Sequence, residues 1–344
     1  MSVHESERSA PRGLVFLRAL RAAVGRFPLW FLTWLAPLLL ALVLVAPWMA
    51  WFGRTLPHAY EPHEVLGSLD VVFRTDHADA LEALRSGGGS AAAMLAVLAM
   101  LAGVFFAGGW LQVFLERTSG HSVRRFLWGG AKYFWRFLRV WVLTVLTIIV
   151  FGWIVYGWPW NTMLELLLGA SSREDLEVVE SEWTAAWAVW LQDGTFAFLF
   201  ALTMTWGDYT RTRLALHDGR SGLWAGLCTW FLLLAHPIRT LRPHAFLFGL
   251  ELLVVFALGR WSWSVNSGLD AASTWRSVLL LFGIGQLGML WQALTRAARY
   301  AAAVQISRFL VAPLTQPDRW ASRIGGPGGP QYPIDDTDDY GVSI

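Results

Sequence analysis

Asp193 and Glu251 are the two ionisable residues that fall well inside long apolar runs of this chain. A carboxylate there can bind a cation, relay a proton or hold a polar headgroup. A charge at the centre of a bilayer helix costs roughly 2.5–3.5 kcal/mol even on insertion scales, so each is a functional candidate by default. Asp193 stands beside Gln192 near the outer end of the fourth run, and Glu251 stands near the inner end of the fifth. At about 1.5 Å per residue both are about 10–12 Å deep. Gln286 falls near the middle of the sixth run and Gln112 in the inner half of the second. Asp193, Gln192, Glu251 and Gln286 therefore form the candidate intramembrane polar site. The competing reading pairs Asp193 with Arg260, close to the same surface, or leaves Asp193 in water.

A second group of residues has the chemistry of a phosphate contact. Tyr209, Arg211 and Arg213 follow the fourth run, and Arg125, Lys132 and Arg136 precede the third. Arginine forks can clamp a lipid phosphate while a tyrosine sits at the interface. Ordinary anchoring, with an Asp208–Arg211 pair one turn apart, explains the same residues without a ligand. His58, Glu61, His63 and Glu64, with His77 beyond, are metal-ligand types in one loop, but Pro57 and Pro62 bracket the His58/Glu61 pair and no zinc motif is present. A solvated acidic loop is expected there, and no metal. Cys228 is the single cysteine, which excludes an intrachain disulfide or a thiolate cluster. Gly325–Gly329 lacks the Lys-Ser/Thr of a phosphate loop and reads as a linker. No nucleophile or acid/base set shares one depth, so neither an enzyme nor a cofactor is expected.

The elements that must hold these residues are written in the hydropathy. Among 344 residues 55% are apolar and only 15% charged, with a mean hydropathy of +0.44. A soluble domain carries roughly 25% charge, so this is a polytopic membrane protein. Six runs are long enough to span as helices: 28–52, 90–115, 138–158, 186–206, 243–261 and 277–295. A seventh, 223–235, suits an interfacial or re-entrant helix. With the N-terminus inside, inner segments hold 21 Arg/Lys and outer ones 6, which places both termini in the cytoplasm. The outer loops are acidic. Of the 22 Trp many fall at run ends, as an interfacial belt requires. Gly103, Gly108, Gly109, Gly283, Gly285 and Gly288 mark close helix packing.

The opening segment lacks the short apolar core and small-residue cleavage site of a secretory signal, so the first span is expected to act as the targeting signal. The expected organisation is an amphipathic helix within 1–27, a six-span domain over 28–312 and a disordered cytoplasmic tail over 313–344, where Gly/Pro-rich and acidic stretches bury nothing. Within the span domain, Leu14–Phe27, Val123–Leu138 and Leu223–Leu241 recur at offsets of about 100 to 110 residues before the first, third and fifth spans. Each begins a unit of interfacial helix, span, outer loop and span. In the second, Val123, Phe126, Leu127, Gly130, Phe134, Phe137 and Leu138 form one stripe, opposite Arg125, Lys132, Arg136 and Arg139. In the first, Leu17, Leu20, Val24 and Phe27 oppose Arg18 and Arg21. The third is apolar all round and should be buried against the bundle. The fold class is thus all-α: a polytopic bundle of six spans with three interfacial helices and a three-unit repeat.

Three such units, with RFLWGGAKYFWRFLRV entering the third span and WGDYTRTRLALHDGR leaving the fourth, resemble a group of uncharacterised bacterial six-span integral membrane proteins. They are similar to the membrane domain fused to glycerophosphodiester phosphodiesterases. Over roughly 12–310 the resemblance implies a stand-alone membrane domain, and it assigns no site residue. The nearly exclusive use of Arg over Lys, with Lys132 the single lysine, reads as the codon bias of a GC-rich genome. The expected role is a non-catalytic scaffold, assembly factor or partner subunit of a bacterial inner membrane. Its expected partners are anionic lipid headgroups at the cytoplasmic face and a protein or second copy, not nucleic acid. The alternative is a small transporter or lipid-handling protein that uses the intramembrane acids.

Overall fold

The structure is a computed structural model that describes residues 14–55, 71–116, 122–170, 173, 175, 181–219, 221–267 and 275–311. Its helices in chain order are α1 (Val15–Val24), α2 (Phe27–Thr55), α3 (Val71–Asp76), α4 (Ala78–Leu115), α5 (Ser122–Tyr156), α6 (Trp158–Leu168), α7 (Glu182–His217), α8 (Gly222–Ala235), α9 (Pro237–Asn266) and α10 (Trp275–Leu310). Six of them, α2, α4, α5, α7, α9 and α10, are long and apolar enough to cross a membrane, in an all-α polytopic bundle. The His58, Glu61, His63 and Glu64 cluster and the Gly325–Gly329 linker lie outside the described residues, as does the acidic tail. His77 is described: its ring stacks on Phe73 at 4.4 Å and meets the edge of Trp51.

Helix lengths exceed the apolar runs. α4 begins at Ala78, twelve residues before the run at Ser90, because ADALEALR is built of strong helix formers that continue the helix into water. The same excess makes α5 one continuous helix of 35 residues. The second interfacial segment is therefore not a separate element: no Gly or Pro breaker separates Val123–Leu138 from the span it enters. α5 ends at Tyr156, Gly157 caps α6 with Pro159 in its first turn, and Gly169 closes α6 in the left-handed region at φ 71. That residue needs no Cβ there, which is why glycine ends the helix.

Buried apolar residues gather at one end of the bundle. A single core cluster joins Ala19 and Ala23 of α1, Leu29 of α2, Val104–Val113 of α4, Phe126, Tyr133 and Phe137 of α5, Leu214 of α7 and Ala297–Val304 of α10. This is the end that carries most of the arginines, and it is called the basic end below. The far half of α10 is its axis, packed against α1, α2, α4, α7 and α9. Its alanines at 297, 298, 301, 302 and 303 are all 0–2% exposed, and Ala19 and Ala23 of α1 are 0% exposed. Small faces let helix backbones approach. α1 is accordingly turned from the expected orientation: it buries its alanines, while Leu17, Val24 and Phe27 are about half exposed. The buried stripe of α5 is Phe126, Gly129, Gly130, Tyr133, Phe137 and Val140, with Val123 and Leu127 exposed. α8 seats Ala225, Gly226, Thr229 and Leu233 on the bundle and exposes Trp224, Phe231 and Leu234, so it covers one face and not all of them.

α4 and α5 meet through glycines. A Cβ on Gly108 would stand 2.7 Å from the Gly129 carbonyl oxygen, one on Gly109 would stand 2.6 Å from that of Phe126, and one on Gly129 would collide with Gln112. Gly103, Gly283 and Gly285 have open space instead, and Gly288 only an ordinary contact with Leu258. Close packing at Gly108 and Gly109 therefore does not extend to the glycines of α10. At the opposite end the core is smaller: Val155, Trp160 and Leu164 are buried against Phe196 and Leu199, and much of the remaining apolar surface is exposed. Trp183, Trp187 and Trp190 form an exposed edge-to-face ladder on α7, with ring centroids 5.5 to 6.0 Å apart, as aromatic belts at membrane surfaces do.

Gly129→Ala and Gly108→Ala should each lower stability by about 1–3 kcal/mol, the ordinary cost of overpacking. Gly283→Ala should be neutral or stabilise by up to about 1 kcal/mol through helix propensity. Thermal unfolding of the purified variants in detergent micelles reads both, and equal shifts for Gly108 and Gly283 would refute the glycine contact.

Candidate functional site

The segment Thr203–Ala215 of α7 is buried on nearly every side, although it contains Asp208, Arg211 and four threonines. The threonines are satisfied within the helix: Thr203, Thr205, Thr210 and Thr212 each donate to the carbonyl four residues earlier at 2.8 Å. Neighbouring helices satisfy the aromatics. Trp206 Nε1 donates to the Gly226 carbonyl of α8 at 2.9 Å, where a Cβ on Gly226 would press on the same indole. Tyr209 donates to the Thr240 carbonyl of α9 at 3.0 Å, and its ring lies 5.0 Å from that of His244.

Two acid–arginine pairs lie at the centre. Arg211 Nη1 stands 3.2 Å from Asp208 Oδ1 and 3.5 Å from the Tyr300 hydroxyl of α10. His244 Nε2 is 3.9 Å from Asp208 Oδ2, too far for a hydrogen bond but within Coulomb range. About two turns of α9 further on, Glu251 Oε2 accepts from Arg299 at 2.5 Å and from Thr295 at 2.9 Å. Arg299 also lies over the face of Phe248 at 4.3 Å. The two pairs meet on α10, where Tyr300, which Arg211 reaches, is the sequence neighbour of Arg299. Helices α7, α9 and α10 are thereby tied by one network in which two carboxylates face two buried arginines. It also leaves polar atoms over: the Nε donors of Arg211 and Arg299 and both ring nitrogens of His244 are buried without a hydrogen-bond partner.

The four residues of the candidate intramembrane site do not meet. Asp193 is held by Arg173 at 3.2 and 3.3 Å and by the Tyr156 hydroxyl at 3.0 Å, with its side chain 48% exposed. Its partner is thus Arg173 and not Arg260, because α7 begins at Glu182 and turns Asp193 toward α5 and the loop after α6. Gln192 is buried and donates to the Val155 carbonyl at 2.8 Å. Gln286 accepts from Trp34 of α2 at 3.1 Å. Glu251 alone belongs to the network.

The expected headgroup contacts are divided too. Tyr209 and Arg211 do not sit at an interface: they are 0% and 8% exposed, inside the network, because α8, α9 and α10 close over that part of α7. Arg125 pairs with Glu116 at 3.2 Å, and Arg136 pairs with Asp218. Lys132 is exposed, its ammonium 5.1 Å from the Tyr133 ring, and Arg213 is half-buried. Arg26, at the turn between α1 and α2, rests on the face of Phe114 at 5.4 Å. Burial and the like charge of Arg125 lower its pKa, but a guanidinium stays charged at neutral pH.

His244, Thr295, Arg299 and Tyr300 are the members not anticipated from sequence. The sixth apolar run stops at Thr295, whereas the helix continues to Leu310. Thr295, Arg299 and Tyr300 recur at helical spacing on that continuation, which is the signal that was there to be read. Among the described residues no three His, Cys or carboxylate side chains converge as metal ligands would. Compared with family models, curated proteins and solved structures, the chain finds no significant match.

Removing one partner of a buried pair strands the other charge, at about 3–5 kcal/mol. Asp208→Leu should therefore destabilise the bundle by that order. Asp193→Asn, in a half-exposed pair, should cost no more than about 1 kcal/mol. Chemical unfolding in mixed micelles checks the contrast; equal costs would mean that Asp208 is not enclosed.

Proposed function

We propose that this chain is a non-catalytic integral membrane component of a bacterial inner membrane, acting as a scaffold, assembly factor or partner subunit. The observation that carries the reading is that the membrane-embedded acids are each paired with an arginine: Asp208 with Arg211 within α7, and Glu251 of α9 with Arg299 of α10. The Glu251–Arg299 pair ties α9 to α10, Tyr209 and Arg211 tie α7 to both, and this supports a structural use for groups that a transporter would keep available. The basic end is assigned to the cytoplasm, with both termini there, on the distribution of 21 against 6 Arg/Lys. On the resemblance of its basic-helix-plus-hairpin units, it is a stand-alone relative of the membrane domain fused to glycerophosphodiester phosphodiesterases. Its protein partner is another membrane chain or a second copy.

One observation favours a second reading. The unpartnered Nε donors of Arg211 and Arg299, with the ring nitrogens of His244, have capacity for a small anion or a water chain, as a transporter or lipid-handling protein would need.

Extraction into lipid nanodiscs from the native membrane, followed by native mass spectrometry, should retain a stoichiometric protein partner or a defined homo-oligomer. Proteoliposomes of the purified chain should show no proton-coupled flux that depends on Glu251. A monomer without partner whose flux is abolished by Glu251→Gln would overturn the scaffold reading in favour of transport.

A further inference from the structure

A half-open groove of about 250 Å³ lies at the basic end, where the start of α1, the first turns of α9 and the last turns of α10 come together. Its walls are apolar. Phe16 of α1 and Phe246 of α9 stack with centroids 5.0 Å apart, and Ile306 and Phe309 of α10 face them. Arg239 and Arg242 are the charged residues of its lining, without any carboxylate. They stand three residues apart on α9, hence on one face of the helix.

Four other arginines at this end of the bundle are held by acids. Arg125, Arg136, Arg211 and Arg299 each meet a carboxylate. Arg239 and Arg242 make no ion pair among the described residues: each guanidinium lies over an aromatic wall of the groove, Arg239 at 5.9 Å from Phe309 and Arg242 at 5.8 Å from Phe246. Both are solvent-exposed. The rim thus presents two uncompensated cations above an apolar floor, at the end of the membrane helices.

We infer that this groove binds one anionic phospholipid from the leaflet at the basic end, its phosphate between Arg239 and Arg242 and one acyl chain along Phe246 and Phe309. Size and charge both select that occupant. Sites that enclose a whole small ligand measure roughly 300–1,000 Å³, so this groove takes part of a chain and leaves the remainder in the bilayer. Guanidinium pairs match phosphate oxygens in bidentate geometry, and a surface arginine adds attraction for anionic lipid that a zwitterionic headgroup does not provide. The inference is independent of the scaffold reading, because the groove shares no residue with the buried network.

Native mass spectrometry of the full chain in detergent, titrated with phosphatidylglycerol or phosphatidylcholine, tests it. The wild type should hold one phosphatidylglycerol at concentrations where phosphatidylcholine is not held. Arg239→Gln/Arg242→Gln should weaken that binding by roughly tenfold. Arg18→Gln/Arg21→Gln on α1, with the same change in net charge, should leave it intact. Leu310→Trp, which fills the groove and keeps both arginines, should also lose the lipid while the unfolding temperature stays near wild type. Equal weakening by the two double variants would reduce the effect to diffuse surface charge and overturn the site. So would equal retention of phosphatidylcholine, or displacement of the lipid by millimolar inorganic phosphate.

Discussion

A charge placed among apolar helices has no water to fall back on, so each must find an opposite charge or a hydrogen-bonding partner on a neighbouring helix. That constraint organises the basic end of this protein. Asp208 and Glu251 lie on different helices and each faces an arginine, one on its own helix and one on α10. Tyr209 and Thr240 add a hydrogen bond from α7 to α9, and Arg211 reaches Tyr300 on α10. These contacts are directional in a way that lipid-excluded apolar packing is not, and they specify which helices neighbour one another and at what depth.

Small residues allow the charges to come within reach. The alanine face of α10 admits α1, and Gly108, Gly109, Gly129 and Gly130 bring α4 against α5. Arg308, near the end of α10, donates to the Phe114 and Leu115 carbonyls at the end of α4, groups that a helix terminus leaves without an intrahelical donor. Away from this end the spans expose Leu, Val and Phe over most of their surface, as hydrocarbon permits. The larger core and the buried charges are therefore at one end, while the other holds the smaller cluster of Val155, Trp160 and Leu164. The scaffold and groove proposals both concern the basic end.

The six spans were legible because hydrocarbon thickness imposes a run length that no soluble helix needs to satisfy. Boundaries were less so. Hydropathy marks where a membrane ends, not where a helix does, and Ala78–Arg85, Ser122–Phe137 and Arg296–Leu310 are helical beyond it. The same blind spot hid the site. Glu251 stands out as an acid in an apolar run, but its partner Arg299 lies four residues beyond the sixth run, among the positive charges that flank a span, and Tyr209 and Arg211 follow the fourth run as interfacial anchors would. Burial of a segment by three other helices is a property of tertiary contact that periodicity does not encode. Gln192 and Asp193 share polarity with the network but lie about four turns from Asp208 along α7, and Gln286 turns to Trp34 of α2 instead.

The central claim is that Glu251 and Arg299 stabilise the bundle as a pair and not as two separate groups. A double-mutant cycle with Glu251→Leu and Arg299→Met, read as unfolding free energy of the purified protein in bicelles, measures this directly. Each single change should be strongly destabilising and the double change should recover most of the loss, with a coupling of at least about 2 kcal/mol, inside the range for residues in direct contact. Additive costs, with coupling within about 0.5 kcal/mol of zero, would contradict the account.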